Sequence, residues 1–175
     1  DMRPHVAPPA GHRRAGEPTC RLAESQIALT NRALRAVFQT QPRLTLKSLH
    51  AAEVDRNVLK DAGKTQLFRI KVGDGVYGAS DCPVRDVMRA GLGFTALLAV
   101  ADTGLVARFG ASVDSGELRM RLELTNAGAA PIDFHLAFPH LAGLQLSDES
   151  AGDHYLFPAY GGVIADTDTW LRAPY

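Results

Sequence analysis

The chain has 175 residues, of which 46% are hydrophobic and 22% are charged, and it contains 19 basic and 19 acidic side chains. This composition is ordinary for a globular protein, and the length suits one domain with a sizeable core. A formal net charge of zero disfavours nucleic acid and anionic membranes as partners, and it favours a neutral molecule or another protein surface.

The first 19 residues are predicted to form a disordered tail, because prolines and glycines interrupt any regular element there. The folded part is expected to span residues 20–175 as a single domain that is incomplete at its C-terminal end. The longest apolar run, at residues 91–101, is far shorter than the roughly 20 residues needed to cross a bilayer. No membrane partner is therefore expected.

Alternating apolar and polar residues predict antiparallel strands in the first half of the chain. Residues 25–38 are predicted to form a hairpin around a turn at residues 30–32. Apolar residues at 44–49 continue the pattern. A further strand is predicted at residues 66–72, followed by a Gly-Asp-Gly turn at residues 73–75.

The middle of the chain is less regular. Residues 84–87 are predicted to be a short strand. For residues 87–100 we favour strand or irregular structure over a helix, because Gly91 and Gly93 disfavour a helix and no capping residue is evident. A turn is predicted at residues 101–104, and residues 105–113 alternate loosely.

Residues 117–126 (ELRMRLELTN) have the cleanest period of two, which is typical of a strand with one buried and one solvated face. After a turn at residues 126–131, residues 132–138 are predicted to run back and form an antiparallel hairpin with this strand. A last short strand is predicted at residues 163–164. The sequence therefore predicts an all-β, antiparallel β-sandwich.

Cys20 and Cys82 are the only two cysteines, and their separation does not decide whether they pair or remain two free buried thiols. No CxxC motif or Cys/His cluster indicates a metal site. Nucleotide-binding, serine-hydrolase and zincin motifs are also missing from the sequence, so no cofactor is predicted.

Several segments, taken in their order, are similar to one known domain family. They are residues 27–38, LTLKSL (44–49), LFRIKV (67–72), LELTN (122–126), FP (138–139), the apolar and glycine residues at 141, 143 and 144, DHYLFP (153–158) and the glycine pair 161–162. This order resembles the N-terminal β-supersandwich, or galactose-mutarotase-like, domain that precedes the catalytic barrel in several glycoside hydrolases.

The resemblance implies that this sandwich is part of a supersandwich with more strands than the chain supplies. It also implies that the catalytic carboxylates lie on a separate C-terminal barrel of the same parent chain, so that no catalytic residue is expected here. That barrel is then the expected partner, and an extracellular or periplasmic location is favoured.

An aromatic cluster near the end of the chain is the best candidate for contact with a glycan. Aromatic faces stack on the apolar face of a sugar ring, while polar side chains bond its edge. The candidate ligand-binding residues are Tyr155, Phe157, Tyr160, Trp170, Asp166 and Arg172. The alternative is that Tyr155 and Phe157 belong to the core and that Trp170 packs at a domain interface.

Other polar residues are predicted to be structural. His135 and His140 flank a Phe-Pro pair and could serve as acids in sugar-ring opening, but no matching His-plus-Glu motif accompanies them, so a surface role is favoured for His135. The acidic loop at residues 148–154 does not fit an EF-hand and is expected to be solvated. Four aspartates beside Gly or Ser are expected to close turns: Asp74, Asp81, Asp102 and Asp114.

We therefore expect a non-catalytic accessory β-sandwich domain of a carbohydrate-processing enzyme, which packs against a catalytic barrel and can contact glycan. Two alternatives stay open. One is an independent sugar-binding or mutarotase-like enzyme, which requires a His–carboxylate pair in a concave sheet face. The other is a purely structural or adhesion sandwich.

Overall fold

A computed structural model describes residues 16–145, together with the backbone of two strands at 155–157 and 163–165. The chain divides into two compact units, residues 1–143 and 144–175. The predicted tail lies almost wholly outside the described residues, and the first strand begins at Thr19, next to the predicted start at Cys20.

The described residues are all-β and antiparallel, as predicted. Their only helical segment is one 3₁₀ turn at Ala62–Lys64, which begins after Asp61, whose side chain accepts the Gly63 N–H. The strands in chain order are β1 (Thr19–Ala23), β2 (Gln26–Thr30), β3 (Leu34–Gln39), β4 (Thr45–Ala51), β5 (Arg56–Asn57), β6 (Leu67–Val72), β7 (Gly75–Gly78), β8 (Val84–Ala90), β9 (Gly93–Ala99), β10 (Leu105–Val113), β11 (Leu118–Asn126), β12 (His135–His140), β13 (Tyr155–Phe157) and β14 (Val163–Ala165).

A five-stranded meander, β1-β2-β3-β4-β5, forms the first layer. The predicted hairpin is confirmed as β2–β3, and Asn31 stabilises its turn. The buried Asn31 side chain accepts the backbone N–H groups of Ala33 and Leu34 at 2.9 Å each. Its amide nitrogen donates to the Glu117 carbonyl at 3.1 Å, so the same residue links this layer to the turn before β11.

A four-stranded meander, β11-β10-β9-β8, forms the second layer. Residues 87–100 contain the end of β8, a turn at Gly91 and Leu92, and all of β9, so strand is confirmed over helix. Gly91 takes a positive φ of 56° in the turn that joins the two strands. At the other end of β9, Asp102 and Gly104 take positive φ values of 56° and 77° in the predicted turn.

The two layers face each other across one apolar core. Alternate residues of β2 and β3 in the first layer, and of β9 and β10 in the second, are almost fully buried, because one face of each strand points inward. Three phenylalanine rings meet at the centre of this core. The Phe38 ring lies 5.2 Å from Phe94 and 6.2 Å from Phe109.

A third sheet, β12-β6-β7, adds Phe68 and Ile70 to the same core. The predicted turn at residues 73–75 is confirmed, since Gly73 takes a positive φ of 55° between the paired strands β6 and β7. Phe138 of β12 reaches Phe109 with its ring centre 6.5 Å away.

The predicted hairpin between residues 117–126 and 132–138 is wrong. β11 pairs with β10 through all nine of its residues, and β12 pairs with β6 instead. A tight turn, with only Ser115 and Gly116 between the hydrogen-bonded Asp114 and Glu117, joins β10 to β11, so β11 folds back onto the strand that precedes it. The connection after Asn126 is long enough for the chain to leave that sheet and cross to the third one.

Candidate functional site

The predicted glycan-contact residues belong to the C-terminal unit. Tyr155 and Phe157 lie on β13, which pairs with β14 in an antiparallel ribbon. The rest of the set, Tyr160, Asp166, Trp170 and Arg172, lies outside the described residues, as does the acidic loop at 148–154. The aromatic cluster therefore stays a prediction.

His135 lies on the outer face of the three-stranded sheet. It is paired with Lys71, which in turn is paired with Val76 of β7. These residues and Arg69 line a shallow depression of about 230 Å³, and no carboxylate lines it. A histidine acid in sugar-ring opening needs a base close by, so this position favours the surface role expected for His135.

His140, in contrast, lines a polar depression of about 280 Å³ together with Asp81. Nδ1 of His140 is buried without a hydrogen-bond partner among the described residues. Asp81 acts as the predicted turn residue, since its Oδ2 accepts the Gly78 N–H at 2.7 Å. The other polar side chains on this depression are Lys64, Gln66 and Arg69.

Close backbone packing shapes this polar depression. A Cβ atom on Gly78 would lie 1.7 Å from Oε1 of Gln66, so only glycine lets the Gln66 side chain lie against β7. The same Oε1 accepts the Ser80 hydroxyl at 3.0 Å. Next to Gln66, the buried Leu67 has a φ of 60°, an unfavourable backbone conformation for leucine of the kind that often accompanies functional sites.

A depression of about 470 Å³ opens onto the four-stranded sheet. Small residues of the two central strands form its floor, because Gly93 at the start of β9 is paired with Ser112, and Thr95 is paired with Gly110. No sequence motif indicated this depression, although the small residues at alternate positions of β9 and β10 were a usable signal. It contains no exposed aromatic face for sugar stacking.

Arginines border this depression, and each is held by a carboxylate. Arg119 lies 2.8 Å from Asp114, and Arg121 lies 2.7 Å from Glu123. Asp114 also accepts the backbone N–H groups of Gly116 and Glu117, and these two hydrogen bonds hold the pKa of Asp114 below its usual value, with a smaller contribution from Arg119. Asp114 therefore closes a turn, as predicted.

Cys20 and Cys82 are free, buried thiols. Burial raises the pKa of Cys82 to about 11 and also raises the pKa of Cys20. The Cys20 Sγ donates to the Gly93 carbonyl at 3.5 Å. Because reactive cysteines require a lowered pKa and some exposure, both positions are structural.

Large apolar side chains are exposed on and beside the three-stranded sheet. Val76 is 48% exposed on its outer face, next to Lys71. The Leu136 side chain lies on the inward face of the sheet, as the buried Ile70 does. It is nevertheless 46% exposed, because β12 is an edge strand. Phe134, just before β12, is 42% exposed.

The described residues contain no group of three or more side chains suited to hold a metal ion. None of their helical segments has the length and apolar character needed to cross a membrane. Comparisons with family models, with curated proteins and with solved structures found no match to this chain.

Proposed function

We propose that this chain is a non-catalytic accessory β-sandwich domain of a carbohydrate-processing enzyme, and that its three-stranded sheet packs against a catalytic domain of the same parent chain. The motif order described above supports the enzyme class, and the exposed apolar residues of the β12-β6-β7 sheet support the packing role.

The observation that carries the proposal is the exposure of Val76, Phe134 and Leu136 on and beside one small sheet. Single exposed apolar residues are common on monomeric proteins, but Val76 on the outer face and Phe134 and Leu136 at the β12 edge form a contact surface for a partner that covers that face and wraps around that edge. The neighbouring Arg69 and Lys71 form no ion pair within the described part of the chain, and they suit a partner face that carries carboxylates.

The first test compares this chain with the whole product of its gene on a panel of 4-nitrophenyl glycosides. We expect the whole product to hydrolyse at least one glycoside and the 175-residue chain to hydrolyse none. Hydrolysis by the isolated chain would refute a non-catalytic role. An inactive whole product, assayed on the same panel and on oligosaccharides, would refute the enzyme class.

The second test places a charge in the proposed interface. Val76→Asp is expected to lower the melting temperature and the activity of the whole gene product, because the carboxylate would be buried against the partner domain. Val54→Asp is the matched control, since Val54 is 50% exposed outside that sheet. If both variants behave alike, the sheet does not pack against a catalytic domain.

A sugar-active site in the sandwich itself is a second candidate function, favoured by the depression that His140 and Asp81 share. In this case His140 would donate a proton to the ring oxygen while Asp81 takes the proton of the anomeric hydroxyl, which opens the ring, and both transfers would reverse when the ring closes. Accelerated mutarotation of glucose or galactose by the isolated chain, lost in His140→Ala, would support it. A rate equal to that of buffer alone would refute it.

A further inference from the structure

β11 differs from the other edge strands of the described sheets. It is nine residues long, it contains no proline, and its pairing with β10 is unbroken from Leu118 to Asn126. The other edges are short or irregular: β1 has five residues, β5 two and β7 four, β8 has a register shift, and β12 has both a register shift and Pro139. Such interruptions are what proteins use to block strand addition, and β11 lacks them.

The hydrogen bonds of the second layer determine which groups β11 presents at its free edge. Asp114 N–H donates to the Glu117 carbonyl, and Ala127 N–H donates to the Gly104 carbonyl. Because hydrogen-bonded pairs alternate along an antiparallel ladder, the odd-numbered residues of β11 bond to β10. The N–H and C=O groups of Met120, Leu122 and Leu124 therefore point away from β10.

No strand among the described residues pairs with that free edge. The inward side chains of the same residues are only half-buried, although they pack on the core. An added strand would satisfy the backbone groups and cover these side chains together.

We propose that the partner at this edge is a second copy of the chain, bound through antiparallel β11–β11 pairing about a two-fold axis at Leu122. The sequence of β11 is self-complementary in that register. Leu122 is opposite its own copy, Met120 is opposite Leu124, and Arg121 is opposite Glu123 of the other copy.

Charge pairing favours this register over the two registers in which the axis lies at an adjacent residue. Full overlap of the nine residues places two Arg121–Glu123 pairs across the interface, at positions where the pairing brings side chains closest. A shift of the axis to Arg121 would form two Arg119–Glu123 pairs but would also place two Arg121 side chains opposite each other, and a shift to Glu123 would place two glutamates opposite each other. The register that pairs all nine residues of β11 is therefore also the one in which Arg121 faces Glu123 without placing like charges opposite each other.

Charge reversal tests the register without disturbing the core, because Arg121 and Glu123 lie on the solvated face. In a dimer of Arg121→Glu, four carboxylates would meet, and in a dimer of Glu123→Arg, four guanidinium groups. Each single variant is expected to weaken dimerisation at least about ten-fold in sedimentation equilibrium. An equimolar mixture of the two variants restores opposite charges at both pairs and is expected to form a heterodimer.

Arg35→Glu on β3 is the control, since it makes the same charge change on the other layer. Hydrogen exchange adds a second readout: the Met120, Leu122 and Leu124 amides should be protected at high protein concentration and lose protection on dilution. A dimer that is insensitive to both reversals, or a monomer at all concentrations, would overturn the proposal. Concentration-independent protection would do so as well, because another segment of the chain would then cover β11.

Discussion

Replacing Phe109 with alanine is expected to be among the most destabilising single changes in the sandwich. Phe109 is fully buried on β10, and its ring contacts one phenylalanine from each of the three sheets. The ring centres lie 6.2 Å away for Phe38 of the five-stranded sheet, 6.1 Å for Phe94 of its own sheet and 6.5 Å for Phe138 of β12. It is the ring at which the three sheets meet.

Removal of a buried phenylalanine side chain costs about 3–5 kcal/mol of unfolding free energy. We expect Phe109→Ala to cost about 4–5 kcal/mol, because three ring contacts are lost and the neighbours are fixed on three separate sheets, so the cavity cannot collapse. At roughly 3 °C per kcal/mol for a domain of this size, the melting temperature would fall by about 12–15 °C.

Urea unfolding monitored by far-UV circular dichroism measures this loss. Phe138→Ala, with a half-buried ring and one ring contact, should cost less, and Phe134→Ala, 42% exposed, should cost less than about 1 kcal/mol. A loss for Phe109→Ala within 1 kcal/mol of the Phe134→Ala value, or smaller than that of Phe138→Ala, would refute the reasoning.

Three further predictions concern the backbone, a buried amide and a thiol. Gly93→Ala should cost about 1–3 kcal/mol, because the new Cβ would lie 2.3 Å from the Ala111 carbonyl oxygen, while Gly110→Ala, with no atom closer than 3.7 Å, should be near neutral in the same urea assay. Asn31→Ala should cost about 1–3 kcal/mol by leaving buried backbone groups without partners, and a melting temperature within 1 °C of the unmodified chain would contradict this. Because the folded-state pKa of Cys82 is raised to about 11 from 9.0, its contribution to stability is complete below pH 9 and is lost as the pH rises toward 11. The stability of Cys82→Ala should therefore fall less steeply over that interval, and equal slopes would count against a raised pKa.

Local sequence patterns were sufficient to predict the fold class and most strands. The alternation in residues 105–113 and 117–126, and the glycine and aspartate turns near residues 73 and 102, gave the strand positions, because burial of one face imposes a period of two. Asp81 and Asp114 were likewise recognised as turn residues from their neighbours alone.

Only the tertiary structure decided which strands pair and which side chains meet. The sequence placed β12 beside β11 because they are consecutive, but Phe138 packs against Phe109 from a different sheet. His140 and Asp81 line the same depression although they are 59 positions apart in the sequence (140 minus 81). A local sequence pattern cannot predict that two such distant residues lie close together. The sequence by itself determined the strands and their inward faces, since these depend on neighbouring residues. Sheet order, the edge position of β11 among the described strands and the free thiols followed from long-range packing, which local periodicity does not encode.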